Sequence, residues 1–137
     1  MAQKFTTFLM FEGNAEEAMT FYISVFKDSR IVSIARYGKD GPGREGTVQH
    51  ATFSLGGQEF MAIDSPAKHA FTFTPSISIF VTCDTEAELD AAAEKLAAGG
   101  TYLMPPGDYG FSRKFAWAQD RFGVSWQLTL PLEINAR

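Results

Sequence analysis

Few side chains in this 137-residue chain have the acid–base or ligand chemistry to carry a reaction, and their positions are informative. There are two histidines and one cysteine. His50 lies in TVQHATFSL, a run that alternates as a strand: Ala51, Phe53 and Leu55 make one face, Val48, His50 and Thr52 the other. If the apolar face meets the core, His50 is free to act as a general base or to hydrogen-bond a substrate near neutral pH. The plainer reading is a histidine satisfied by Thr52 or a backbone carbonyl. His69 falls in a linker and reads as exposed surface. Cys83 follows a strand and precedes Asp84, as a small buried residue would; a catalytic thiol would need a histidine beside it. Being alone, it excludes an intrachain disulfide and suits a reducing compartment. On QEFMAID, Glu59 reads as a solvated strand-end carboxylate and Asp64 as a turn residue. Near the end, RFGVSWQL places Val124, Trp126 and Leu128 on one face, and Ser125, Gln127 and Thr129 on the other. The first face is core; the second sets a glutamine amide among hydroxyls.

These residues must be held by a framework, and the bulk composition bounds it. The chain is 45% hydrophobic and 20% charged, which fits one globular domain or two small halves. Net charge is −4, with the cations scattered, which argues against a nucleic-acid partner and against a membrane surface. No apolar run is long enough to span a bilayer, and MAQKFTTF lacks the pattern of a signal peptide, so the cytoplasm is the expected compartment.

The run Phe5 to Phe11 predicts a strand. GNAEEAMTFYISVF predicts a helix capped by Asn14, with Glu17 three residues on, and an apolar face of Ala15, Ala18, Met19, Tyr22, Val25 and Phe26. RIVSIARYG, TVQHATFSL and QEFMAID predict three strands. GKDGPGREG is the tip of the first hairpin; it lacks the lysine–serine pair and following helix of a phosphate-binding loop. Residues 65–75 read as a linker. The same order then recurs: SISIFVTC, a helix with the capping box Thr85-x-x-Glu88 and an apolar face of Leu89, Ala92, Ala93, Leu96 and Ala97, the short strand TYLM, a loop PPGDYG, and the strands FSRKFAWAQ and VSWQLTL. Aligning the caps sets Asn14 against Thr85. Aligning the last turns sets Phe60 against Trp126 and Met61 against Gln127. The expected units are 1–64 and 76–137, each a sheet with one helix, too small to bury its sheet unaided.

The duplicated βαβββ plan, the phrases F-x-G-N-A-E-E-A and H-A-x-F-S-L-G-G, the Phe21-Tyr22 pair and the ending D-R-F-G-V-x-W-Q resemble the vicinal oxygen chelate superfamily. This group holds glyoxalase I, bleomycin and fosfomycin resistance proteins and extradiol dioxygenases. Within it the chain resembles the PhnB-like branch, whose members are often labelled 3-demethylubiquinone-9 3-methyltransferase. The resemblance implies an α+β fold of two tandem βαβββ units forming a curved mixed sheet cup with helices on the convex side. It also implies a small-molecule ligand in the cup and a homodimer. The glycine-rich strand-to-helix loop that usually cradles S-adenosylmethionine is not found in this sequence.

In metal-dependent members of the superfamily, His or Glu side chains on the first and last strands of each unit point inward. The matching positions here are Thr7, Met61, Ser78 and Gln127. Hydroxyls, a thioether and a neutral amide are poor ligands for Zn, Ni, Mn or Fe(II). The expectation is therefore a cup without a tightly bound metal or other cofactor, lined by Thr7, His50, Met61, Ser78 and Gln127, with His50 as the one candidate catalytic residue. Phe11, Phe80 and Trp117 are candidates for an aromatic wall, and Tyr109 and Phe111 flank Gly110 in a candidate lid. Which face of 111–119 looks inward is open from sequence: Arg113, Phe115 and Trp117 share one face, Lys114 and Ala116 the other. Two other readings stand beside the binding protein: a metal-dependent lyase, isomerase or dioxygenase, and a non-catalytic dimerisation module.

Overall fold

The computed structural model describes residues 3–133. The elements are β1 (Thr7–Phe11), α1 (Ala15–Val25), β2 (Arg30–Arg36), β3 (Val48–Leu55), β4 (Gln58–Asp64), β5 (Ile79–Thr82), α2 (Glu86–Ala97), β6 (Thr101–Gly107), β7 (Lys114–Gln119) and β8 (Ser125–Leu130). They form two four-stranded sheets, ordered β1-β4-β3-β2 and β5-β8-β7-β6. In each, the first strand runs parallel to the last and the other pairs are antiparallel. The chain divides into two compact units, Met1–Ala70 and Phe71–Arg137, each an α+β layer of one mixed sheet and one helix.

In the first unit the alternation of β3 and β4 turns Ala51, Phe53, Phe60 and Ala62 toward α1, whose Ala15, Ala18, Met19 and Tyr22 are buried. The rings of Tyr22, Phe53 and Phe60 stack in sequence at centroid distances of 6.3 and 5.3 Å. In the second unit Leu89, Ala92, Ala93 and Leu96 of α2 are buried with Ala116, Ala118, Trp126 and Leu128 of the sheet. Each large side chain so buried contributes about 1.5–3 kcal/mol before the entropy of ordering is charged against it.

The helix starts differ from each other. α2 begins as its sequence predicts: Glu88 N–H donates to Thr85 Oγ1 at 3.1 Å, while the Glu88 carboxylate accepts from Asp84 N–H at 2.7 Å. α1 does not. Asn14 makes no side-chain cap. Asp64, expected in a turn, is buried at the end of β4 and takes the role: its Oδ1 accepts from Gly13 N–H at 2.7 Å and Ala15 N–H at 3.0 Å, and its Oδ2 from Val48 N–H at 2.8 Å. A carboxylate accepting three backbone hydrogen bonds at a helix's positive end outcompetes a neutral side-chain amide there.

Two further expectations are corrected. The composition of PPGDYG predicts a loop, but β6 continues through Pro105 and Pro106 to Gly107. β6 is the outer strand of its sheet, where a missing N–H costs least, and the pairing with β7 is irregular between Met104 and Gly107. Val48, placed with His50 by strict alternation, is fully buried, because the pairing of β2 with β3 slips between Ala35 and Arg36. At the end of α2, Gly99 takes φ +77, and a Cβ on Gly100 would lie 2.1 Å from the Gln119 carbonyl oxygen. Only glycine lets the chain leave the helix that close to β7.

Candidate functional site

Each sheet has one face under its helix and one face away from it. Across β7 and β8, Trp117 pairs with Gln127, Gln119 with Ser125 and Phe115 with Thr129; across β5 and β8, Phe80 pairs with Gln127. Directly paired residues share a face, so all of these lie opposite Trp126 and Leu128. The strand begins at Lys114 and not at Phe111, and β7 turns Phe115 and Trp117 to the open face, while Lys114 lies on the helix side, held to Glu86 at 2.9 Å and Asp90 at 2.7 Å. Those two carboxylates raise its pKa.

At the centre of this face is a hydrogen-bonded cluster. Trp117 Nε1–H donates to Ser125 Oγ at 2.8 Å, Ser125 and Ser78 share a hydroxyl bond at 2.6 Å, and Gln127 Nε2–H donates to Ser78 Oγ at 3.2 Å. Ser125 is buried, whereas Ser78 and Gln127 are half-exposed. Beside the cluster is an aromatic group. Phe111 meets Phe115 edge-on at 4.9 Å, Tyr109 stacks on Phe111 at 6.4 Å, and Phe80 lies 6.5 Å from Phe115. Tyr109 is tied down by its hydroxyl, which donates to Pro105 O at 2.6 Å. Phe80 is 59% exposed and Phe111 56%, a large uncovered apolar area next to polar groups.

The open face of the first unit is built differently. Phe8 and Thr52 both pair with Met61, and His50 is exposed with its Nε2 3.3 Å from Met61 Sδ and its ring 6.0 Å from Phe8. Thr7 does not belong to this face. It pairs with Phe60, on the helix side, and Phe8 stands where Thr7 was expected. The five sequence-derived positions thus sort into His50 with Met61, Ser78 with Gln127, and Thr7 apart from both. Ser125 and Trp117 complete the second cluster. Trp117 was a candidate whose face the sequence left open, since the strand pairing across the Asp120–Gly123 turn decides it.

Other candidates take structural places. Cys83 is buried, and burial together with the nearby Glu88 and Asp84 charges pushes its thiol up from 9.0 to about 12, so it is no nucleophile at neutral pH. Phe11 is core. Glu59 is exposed at the start of its strand. His69, expected on the surface, is half-buried: its Nε2 is 2.8 Å from Ser65 Oγ, and its backbone N–H donates to the Glu12 carboxylate at 3.1 Å. A cleft of about 260 Å³ lies near the start of α1 between Glu12, Arg44 and Lys68, but the Asp64 carboxylate at its wall is already committed to the three backbone donors.

The residues at the positions implied for metal binding do not fit a divalent ion. Phe8, Met61, Ser78 and Gln127 offer a phenyl ring, a soft thioether, a hydroxyl and a neutral amide, none of which offsets the loss of the ion's water shell. Among the described residues, no three His, Cys, Asp or Glu side chains come together. Nor, among the same residues, is any helix long and apolar enough to cross a membrane.

Comparison with known proteins supports the pattern of strands and helices. The profile of a family described as 3-demethylubiquinone-9 3-methyltransferase matches residues 3–129. A solved PhnB protein from Bacillus cereus is 65% identical over 93% of this chain and 99% of that one, with a TM-score of 0.91. Two more distant structures share the fold. A glyoxylase/bleomycin resistance protein/dioxygenase domain from Frankia is 15% identical over 97% of this chain and 94% of that one, with a TM-score of 0.66. A mutant of the genomically encoded fosfomycin resistance protein from Listeria monocytogenes, solved with Mn(II) and a dihydroxypropylphosphonic acid, is 12% identical over 96% and 93%, with a TM-score of 0.65. No curated protein matches the chain.

Proposed function

Because the chain belongs to the family described as 3-demethylubiquinone-9 3-methyltransferase, the PhnB-like branch of the vicinal oxygen chelate superfamily, we propose that it binds a small molecule on the open side of its sheets and does so without a tightly held metal ion. The observation that carries this reading is the open face of the second unit, where the exposed ring of Phe80 stands beside the hydrogen-bonding set Ser78, Ser125 and Gln127. Apolar area with a few convergent polar groups is what a small-molecule site requires. A protein that sequesters its ligand needs no catalytic residue there. His50, exposed on the open face of the first unit with its Nε2 3.3 Å from Met61 Sδ, is the one candidate there for proton transfer. Methyl transfer is not part of the proposal, since neither unit is a doubly wound sheet with a glycine-rich turn for S-adenosylmethionine. The working form is taken to be a cytoplasmic homodimer, which light scattering on the purified chain checks.

The test is a thermal-shift screen of untagged protein against a broad small-molecule set, with elemental analysis and a melt in the presence of chelator. Ligands that raise the Tm, and a Tm indifferent to chelator, are expected. Stoichiometric metal whose removal lowers the Tm would restore the metal-dependent reading. A screen in which no compound moves the Tm would favour a dimerisation module.

A further inference from the structure

We propose that the open face of the second unit selects a flat, uncharged ligand whose polar end is a hydrogen-bond acceptor, an aromatic ketone or amide carbonyl, over the matching carboxylate. This rests on the small-molecule reading of that face and names the ligand's chemistry. The direction of the hydrogen bonds carries it. The indole Nε1 of Trp117 can only donate. It ends on Ser125 Oγ, so the Ser125 hydroxyl accepts there and must send its own hydrogen elsewhere. Ser125 is 2% exposed, and its other hydroxyl neighbour is Ser78 Oγ at 2.6 Å. The Ser125 hydrogen therefore goes to Ser78. Ser78 also accepts from Gln127 Nε2. With both lone pairs engaged, the Ser78 hydroxyl hydrogen has no acceptor within the cluster and is left for a ligand. The second hydrogen on Gln127 Nε2 stands next to it. The chain of bonds that begins at the Trp117 indole thus ends in two neighbouring donors, polarised by the bonds behind them.

What surrounds those donors sets the charge they accept. The side chains paired around those donors, Phe80, Phe115, Trp117, Gln119 and Thr129, are all neutral, and Arg113, which alternates toward the same face just before β7, sends its Nε–H to Pro131 O at 2.7 Å. The cation of β7, Lys114, is on the helix side and spent on Glu86 and Asp90. A carboxylate brought to Ser78 and Gln127 would give up water for neutral donors there, and that exchange is unfavourable. A neutral carbonyl oxygen loses far less on leaving water and gains the same two donors. The exposed Phe80 ring gives the attached aromatic group a surface to lie against.

Three probes of one shape test this on the full chain: 2-acetylnaphthalene, 2-naphthoate and 2-ethylnaphthalene, with Kd read from the NMR shift of the Trp117 indole N–H. The ketone is expected to bind about tenfold tighter than the hydrocarbon and at least tenfold tighter than the carboxylate. Ser78→Ala is expected to bring the ketone to within about twofold of the hydrocarbon. Naphthoate binding as tightly as the ketone, or a ketone advantage that survives Ser78→Ala, overturns the inference. If the hydrocarbon binds and the ketone gains nothing, the ligand class is wrong while the small-molecule reading of the face stands. If none of the three moves the Trp117 signal, both fail together.

Discussion

The two units share a strand order and a helix position, yet each solves its polar problems with different residues. In the first, Asp64 is the buried carboxylate, and it ties the last strand to the start of α1 and to β3. In the second, the position aligned with Asp64 is Leu130, and the buried carboxylate is instead Asp120, in the turn before β8. Asp120 Oδ1 accepts from the N–H groups of Phe122 and Val124, and its Oδ2 from Trp126 Nε1 at 2.9 Å. Freed from a carboxylate, α2 is capped by its own Thr85. The apolar side of each sheet has kept one pattern, Phe60 matching Trp126 beneath the helix. The open sides have parted: Phe8, Met61, Thr52 and His50 on one, Phe80, Gln127, Trp117 and Ser125 on the other. The requirement to bury apolar surface constrains both units alike. Polar ties need only satisfy local donors, and can move from residue to residue so long as none is left bare.

That contrast can be broken, most forcefully at the core. Trp126→Ala is expected to cost about 3–5 kcal/mol, through a large cavity and a lost donor to Asp120. Denaturant unfolding measures it; a loss below 1 kcal/mol would mean that Trp126 is not the keystone its burial indicates. Asp64→Ala comes next, at about 3 kcal/mol, since three backbone N–H groups lose their acceptor at once. Hydrogen exchange should show the start of α1 and the start of β3 opening together in that variant. Protection unchanged at Ala15 and Val48 would contradict the shared tie.

Cys83 aligns with Glu12, which in the first unit accepts the N–H of His69. In the second unit the position is buried, and the thiol pKa rises from 9.0 to about 12, chiefly through burial and then through Glu88 and Asp84. The unfolded chain therefore releases this proton near pH 9 while the folded chain keeps it. Its contribution to stability is complete below pH 9 and is lost as pH rises from 9 toward 12, at a rate on the order of 1 kcal/mol per pH unit. Cys83→Ala should flatten the decline between pH 9 and 11 relative to the parent. Parallel curves would show that the thiol ionises equally in both states. A smaller effect separates the two helix starts: Thr85→Ala is expected to cost about 1 kcal/mol and Asn14→Ala only a few tenths. Equal losses would restore Asn14 as a cap.

Much of the architecture was legible because it rests on periodicity. Strands β3, β4 and β8 and both helices follow from spacing of apolar residues, and the correspondence of Phe60 with Trp126 follows from aligning the turns. What stayed hidden depends on residues far apart in the chain. Asn14 has the composition of a cap and loses the place to a carboxylate 50 residues away, which no local pattern signals. Val48 breaks alternation because of a slip against β2, and Thr7 misses its face because parallel pairing sets Phe8, not Thr7, beside Met61. On the candidate site, the face of Gln127 was readable from alternation, and Ser78 followed from the family resemblance. Their link through Ser125 to Trp117 was not, because it needs three strands in register.

The finest cut lies between the two open faces. Gln127 and Met61 occupy matching positions, half-exposed, beneath neither helix. Truncating either should change stability by less than about 1 kcal/mol, since little buried area is lost and no buried donor is stranded: Ser78 keeps Ser125 when Gln127 goes. Binding is where they should differ. Gln127→Ala removes a donor from the cluster that ends at Ser78, so it should weaken a carbonyl ligand several-fold with the Tm nearly unchanged. Met61→Ala removes a flexible apolar contact beside His50 and should leave that ligand's affinity within about twofold. Paired titrations of the two variants, each with its own melting curve, measure this. If Gln127→Ala destabilises the chain as much as Trp126→Ala does, the two faces of β8 are not distinct. If Met61→Ala weakens the ligand as much as Gln127→Ala does, the first unit contributes to recognition on equal terms, and the second face is not the seat of selectivity.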